Sequence, residues 1–339
     1  MQNRFLIIRF SSMGDVILTT ALVRCLRRAY PDCIIDFVVK KQFAEVLEGN
    51  PHINNLFFYN SDNKNELKNL ISELKNNNYT HIIDIQKNIR SLTLRLKVPA
   101  KHKWKYSKHV VKRFMLIKFK INLYGKAVVP VYQRYFKAIE KLGVKYDGLG
   151  TEMFPSKSNI DKVSKWFEEN GASQSRCLAL APGAYWDNKR WLPEYYIELA
   201  NDLLTHKFDC VVLMGGKGEK ELCEHIAGKI NGKVLNASGI FSIGQSAAVL
   251  SFCKVLVSND TGLLHMAQSV KTPVVGIFGP TSKELGFYPY GDKSRIAEVD
   301  EPCRPCTQMG KNHCPRKHFR CMKNISVTEV KRLVLAISC

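Results

Sequence analysis

Short, continuously apolar runs that each hand over to a turn and then to a helix recur along this chain, and they restrict its fold more than any other feature. Phe5-Leu6-Ile7-Ile8, inside an expected strand over residues 4–10, leads into the turn Ser11-Ser12-Met13-Gly14-Asp15. Helical spacing of Val16, Leu18, Ala21, Leu22, Cys25 and Leu26 predicts a helix over 16–29, with Pro31 just past its end. Ile34 to Val39 and His81 to Ile85 read as further strands. The pattern restarts at Cys177 to Ala181 and continues through Cys210 to Met214, Val234-Leu235, Val255 to Ser258 and Val274 to Phe278. Helices are expected between them over 193–206, 217–230 and near 242–252. A strand that is apolar on both faces needs cover on both, which is the situation of a parallel sheet crossed by helices. The expected fold class is therefore α/β, in two parallel-sheet halves that change over between about 145 and 175. A chain of 339 residues is also longer than one compact core accommodates.

Sheets of this kind bind ligands outside the carboxyl ends of their strands, and two such ends carry polar residues. One is Ser11 to Asp15. The other is Ser258-Asn259-Asp260-Thr261-Gly262-Leu263-Leu264-His265, followed by Gly276-Ile277-Phe278-Gly279-Pro280-Thr281. Asp260 or Thr261 can cap the second helix, whose free N–H groups and positive dipole end suit a phosphate. Gly262 admits an anion close to the backbone, and His265 lies one turn on. An ordinary capped helix with a core histidine is the competing reading of this octapeptide.

The formal net charge of +21 calls for an acidic partner: nucleic acid, anionic lipid or a phosphorylated substrate. Much of it is local. From Lys87 to Lys126 there is no Asp or Glu, and His109 to Lys120 interleaves basic residues with Val110, Val111, Phe114, Met115 and Ile117. That stretch reads as a basic amphipathic helix near a membrane, or as a solvated face. Arg9 interrupts the first apolar run too early for a signal peptide, and no run approaches a membrane span. Eleven cysteines, an odd number, fit a reducing compartment. A cytoplasmic location, peripheral to the inner membrane, is expected.

With both loops in place, the chain resembles the heptosyltransferase family, family 9 of the inverting glycosyltransferases. The matching residues are Ser11-Ser12-Met13-Gly14-Asp15-Val16, Pro182-Gly183-Ala184, Lys189-Arg190-Trp191 with Pro193, Gly215-Gly216 with Glu219, Asn259 to His265, and Phe278 to Thr281. They occur in order over almost the whole chain; residues 40–175 match loosely. The resemblance implies two facing Rossmann-like domains of GT-B type. Their expected bounds are an acceptor-binding domain over 1–155, a nucleotide-sugar-binding domain over 156–325, and a closing helix over 326–339. That helix also has its own signal, Ser326 and Glu329 ahead of Val330, Leu333, Val334 and Ile337.

The implied reaction moves a heptose from ADP-heptose to lipopolysaccharide inner core, with inversion and without a catalytic metal or other cofactor. Asp15 becomes the base that deprotonates the acceptor hydroxyl; by itself it reads as the cap of a helix beginning at Val16. Lys189 is the donor-phosphate cation, Thr261 and Gly262 offer N–H groups, Asp260 meets sugar hydroxyls and His265 assists at the phosphates. Glu219 has the geometry class to hold a ribose diol, or else it is a first-turn acid. Phe241 falls where the family lays backbone along the base, though its side chain reads as core. On the acceptor side stand Ser11, Ser12 and Arg90, the last chosen from the basic stretch as a contact for an anionic glycolipid.

Cys303, Cys306, Cys314 and Cys321 form C-x2-C-x7-C-x6-C with His313 and His318 between them. Such spacing suits a structural zinc or iron–sulfur site, while Pro302, Pro305 and Pro315 suit a packed loop; free thiols and disulfides stay open. Two other classes compete for the whole chain. A Rossmann oxidoreductase or methyltransferase would carry G-x-G-x-x-G, and the first turn has a single glycine. A nucleic-acid or lipid-binding module would use the basic patch alone and leave the two polar loops without a role; nucleic acid is not expected as a partner.

Overall fold

The computed structural model describes residues 2–60, 65–172 and 176–338, and the chain divides into two compact units. Unit 1 is Met1–Val110 with Val129–Phe154; unit 2 is Val111–Val128 with Pro155–Cys339. The segment Val111–Val128, expected with the first domain, thus packs with the second. So does the closing helix, which is part of the core of unit 2. Residue 339, its expected last residue, lies outside the described residues.

Unit 1 is a five-stranded parallel sheet. Its strands are β1 (Arg4–Ile8), β2 (Ile34–Lys40), β3 (Asn55–Tyr59), β4 (Tyr79–Asp84) and β5 (Ala100–Lys105), in the order β3-β2-β1-β4-β5. Helices α1 (Met13–Ala29), α2 (Glu66–Lys75) and α3 (Ile89–Lys97) connect them. Leu6, Ile8, Val38 and Ile82 pack on Leu70, Ile71 and Leu74 of α2 and Leu94 of α3. Helix α1 begins three residues before the expected Val16, with Ser12 as its N-cap. Arg24 of α1 is buried and satisfied by Asp147 and Glu152, each at 2.8 Å. That arrangement ties the segment after the short helix α5 (Val131–Arg134) to the first half of the unit.

The sequence reading missed both edge strands, β3 and β5. β5 has no continuous apolar run: it reads Ala-Lys-His-Lys-Trp-Lys, with lysines of the kind that protect a free edge, whereas β3 keeps a short apolar run, Leu56 to Tyr59.

Unit 2 opens with α4 (Val110–Phe119) and α6 (Lys157–Glu169). Its strands are β6 (Cys177–Ala181), β7 (Cys210–Leu213), β8 (Val234–Asn236), β9 (Val255–Asn259), β10 (Val274–Ile277) and β11 (Ser294–Ala297), ordered β11-β10-β9-β6-β7-β8 and all parallel. Helices α7 (Pro193–His206), α8 (Lys220–Ala227), α9 (Ile243–Phe252), α10 (Gly262–Ser269), α11 (Arg320–Lys323) and α12 (Val327–Ile337) surround the sheet. Leu178, Leu180, Val255, Val257 and Val275 pack on Leu199 and Leu203 of α7 and on Val330, Leu333 and Val334 of α12. The helix expected over 217–230 is a 3₁₀ turn, Lys217–Glu219, followed by α8 ending at Ala227. Both units belong to the Rossmann type, the GT-B fold class implied by the resemblance.

Strand order locates the ligand sites. In unit 1 the chain runs β1-β2-β3 outward, then returns to the other side of β1 with β4 and β5; in unit 2 the reversal falls between β6 and β9. Loops diverge at such reversals and leave a crevice at the carboxyl ends of the two central strands.

Candidate functional site

At the reversal in unit 1, the Asp15 carboxylate sits in the first turn of α1 and is held from three directions. Arg9 Nη2 lies 2.6 Å from Oδ2, Ser12 Oγ donates to the same oxygen at 3.0 Å, and Tyr135 Oη lies 3.5 Å from Oδ1. Ser12 N–H points to Oδ2 at 3.4 Å. Asp15 is therefore not the cap itself: Ser12 is, and Asp15 reaches back to it from three residues on. Burial works against the Arg9 charge, but the neighbouring Asp15 carboxylate outweighs it and holds the guanidinium above its ordinary value. Burial also pushes the Tyr135 phenol up, so it stays protonated and able to donate. The turn is fixed from the other central strand. Gln86, just past β4, accepts from the N–H groups of Phe10 and Ser11 at 2.9 and 3.2 Å with one oxygen.

Arg9, Gln86 and Tyr135 were not foreseen as site residues. Arg9 carried a signal, a charge closing an apolar run just past the end of β1; Gln86 and Tyr135 reach Asp15's turn only through the sheet and the chain's return. Ser12 joins Asp15 directly, and Ser11 joins through its backbone. Arg90 stands apart: it is exposed on α3, with its guanidinium 5.9 Å from the ring centre of Tyr59.

At the reversal in unit 2, Asn259 closes the end of β9 onto the end of β6. Its Nδ2 donates to the carbonyls of Pro182 and Gly183 at 2.9 and 3.2 Å, and its Oδ1 accepts from Trp191 N–H at 3.0 Å. Trp191 is itself buried, with Nε1 donating to Ile325 O at 3.0 Å. That anchor turns Lys189 inward, where Nζ lies 2.6 Å from Asp260 Oδ2 and 3.2 Å from Asp260 O. Arg190 faces away, bonded to Ala184 O and Asp187. Thr281 Oγ1 donates to Asp260 Oδ2 at 2.9 Å, which brings the second glycine-rich turn to the same carboxylate. Thr261 is the N-cap of α10, so the first N–H groups of that helix, from Gly262 on, have no acceptor within it. His265 is buried one turn into the same helix, its ring 6.3 Å from that of Phe287.

Glu219 reaches this cluster from β7. Its Oε2 accepts from Gly216 N–H at 2.6 Å, and the carboxylate lies over Gly183 so closely that a Cβ there would stand 2.1 Å from Oε1. Both glycine turns are thus spaces for Glu219. The structure brings Lys189, Glu219, Asp260, Thr261 and Gly262 to one strand-end crevice of unit 2, with His265 behind them. Phe241, expected in the core, is half-buried and packs edge-on against the half-buried Trp166 at 5.1 Å. Asn259 and Thr281, which hold the cluster together, were quoted in the motifs but given no role.

The arrangement offers a cation, helix N–H groups and a carboxylate above two glycines, the set of groups that suits a nucleoside diphosphate. The pair Lys189–Asp260 is internally neutralised, so an incoming diphosphate can take over the ammonium and release Asp260 for neutral hydroxyls.

Comparison with known proteins gives the family and the fold. Residues 67–316 match the model of glycosyltransferase family 9 (heptosyltransferase). Lipooligosaccharide heptosyltransferase 2 of Campylobacter jejuni subsp. jejuni is 31% identical over 159 residues, 46% of this chain, and the chain spans about half (49%) of that relative's length. The crystal structure of a family 9 glycosyl transferase from Veillonella parvula superposes with a TM-score of 0.84 at 20% identity, covering 100% of this chain and 98% of that one. The structure of Escherichia coli ADP-heptose lps heptosyltransferase II does so with a TM-score of 0.75 at 20% identity, covering 100% and 98%. With a family model matching well over half of its length, the chain belongs to glycosyltransferase family 9, the heptosyltransferase family.

Proposed function

We propose that this protein transfers a heptose from ADP-heptose to the inner core of a lipopolysaccharide-type glycolipid, inverting the anomeric carbon. The observation that carries the donor side is the strand-end cluster of unit 2, where Lys189, the α10 N-terminus and Glu219 meet within one crevice. Lys189 and the amides of Thr261 and Gly262 take the diphosphate and stabilise the charge that develops on it as the glycosidic bond breaks. Glu219 accepts from the ribose hydroxyls with Oε1, its other oxygen being committed to Gly216. Asp260, once Lys189 has turned to the phosphates, takes sugar hydroxyls, and His265 supports the phosphate end. Positive side chains and amides supply the electrophilic assistance, so no metal is assigned to the reaction itself.

On the acceptor side, Asp15 removes the proton from the attacking hydroxyl, which displaces ADP from the opposite face in a single step. Arg9 and Tyr135 orient that carboxylate, Ser11 and Ser12 line the turn, and Arg90 meets an acidic group of the acceptor. The names of the relatives, a lipooligosaccharide heptosyltransferase and an ADP-heptose enzyme, support these choices of acceptor and donor. The +21 charge and the basic stretch around α4 support work at an anionic membrane surface, on its cytoplasmic side.

The test is ADP release from ADP-heptose with heptose-deficient lipopolysaccharide, for the wild type and Asp15→Asn. Acceptor-dependent release that falls about 10²–10⁴-fold in the variant, with ADP affinity unchanged, is expected. Release from a different nucleotide sugar, or full activity in the variant, overturns the donor or the base respectively. A polyanion-binding protein would release nothing and bind vesicles equally well without Asp15.

A further inference from the structure

The loop between β11 and α12 holds a group of side chains that the transfer reaction does not use. Cys303 Sγ lies 3.7 Å from His318 Nε2, and one carboxylate oxygen of Glu301 joins them so that the three ligand atoms lie within 4.8 Å of one another. Cys306 follows Cys303 at the two-residue spacing with which one turn delivers two thiolates to one metal. The thiols of Cys303, Cys306, Cys314 and Cys321 are close enough to interact electrostatically. No disulfide joins the described cysteines, and a disulfide would have no use for the imidazole and the carboxylate beside Cys303.

We propose that Glu301, Cys303 and His318 bind one zinc ion, and that Cys306, whose thiol lies outside that close group, turns in as the fourth ligand to close a tetrahedral site. Thiolate and imidazole donors select zinc over hard cations, and four protein ligands leave no open position, which makes the site structural. Two thiolates and a carboxylate bring three negative charges, so zinc leaves the site at about −1. Lys120 of unit 2 supplies the balance: its ammonium donates to the carbonyls of Cys303 and Pro305 at 2.8 and 2.7 Å. Arg320, 3.5 Å from Glu301, is the partner that zinc would displace.

The ion would brace the donor crevice. Lys311 N–H donates to Asn188 Oδ1 at 2.8 Å, Asn188 N–H donates back to Lys311 O at 3.1 Å, and Gly310 lies against the Trp186 ring. The cysteine loop therefore lies along the turn that carries Lys189. Cys306 and Cys321 also pack on the Gly279-Pro280 turn that precedes Thr281. This consequence for the donor rests on the proposed function; the presence of the metal does not.

Metal content of the full-length protein, purified without chelator, is the test, read by plasma mass spectrometry. About one zinc per chain is expected in the wild type, with Cys303→Ser and His318→Ala falling to background. Because either variant can fail to fold, cobalt is also titrated into demetallated wild type, where intense tetrahedral d–d bands and thiolate-to-cobalt charge transfer are expected. Zinc retained by both variants overturns the ligand set, and stoichiometric iron overturns zinc as the ion. No stoichiometric metal together with no thiolate–cobalt bands overturns the site, whatever the transferase activity.

Discussion

Glu219 and Gly183 depend on each other atom by atom. The carboxylate can sit over β6 only because position 183 has no side chain: an alanine Cβ would be 2.1 Å from Oε1 and 2.7 Å from Cγ, and Oε2 is already tied to Gly216. Gly183→Ala is therefore expected to push Glu219 off the position proposed for the ribose and weaken ADP binding about tenfold, roughly the loss of one charge-assisted hydrogen bond, with the fold intact. Calorimetric titration of ADP checks this. If the two residues act as one unit, adding Glu219→Ala to the alanine variant costs little more, whereas equal additive losses would separate them. At the same scale, Arg9 shows how a site residue can be visible and still be misread. Its charge at the end of an apolar run is plain in the sequence, yet its target, Asp15, is chosen by the turn that folds back over the strand end.

Among the elements, β1, β4 and β5 are stitched by a column of rings. His81 of β4 stacks on Phe5 of β1 at 4.7 Å and on His102 of β5 at 5.0 Å, and meets Trp104 of β5 at a tilt at 4.9 Å. Burial, aided by the charge of His102, lowers the His81 pKa to about 4. The folded value then lies below the unfolded one near 6.5, so between those limits the unfolded chain binds more protons. Stability should fall as pH drops from about 6.5 to 4, by an amount on the order of 3 kcal/mol. His81→Phe keeps a ring in the column and should flatten that slope, whatever it does to stability at pH 8. Urea unfolding at several pH values reads it; an unchanged slope would place the acid sensitivity elsewhere. The same column explains why β5 was missed: its lysines read as a solvated run, and its rings gain meaning only beside β4.

Across the whole molecule, charge and apolar exposure coincide on α4. Val110, Val111, Phe114 and Phe119 are more than half exposed there, beside Lys112, Arg113 and Lys118, in a chain of net charge +21. Binding to phosphatidylglycerol-rich vesicles is expected, weakening steeply with salt as surface charges are screened. Val111→Ser with Phe114→Ser should reduce it about tenfold, the apolar area of two side chains being withdrawn. Vesicle sedimentation at low and high salt decides, and salt-independent binding or an unaffected double variant would remove α4 from the interface. No described helix is long and apolar enough to cross a membrane. The sequence by itself determined the α/β class, the central strands and the two polar strand-end loops, because buried parallel strands must be apolar throughout and phosphate-binding turns need glycine and capping residues in sequence. Only the tertiary structure decided that Val111–Val128 belongs with unit 2, that Arg9 and Tyr135 hold Asp15, and that Glu301 and His318 share one point with Cys303. Those groups lie far apart or face apart along the chain, and it is the order of the strands and the path of the returning loops that bring their atoms within bonding range.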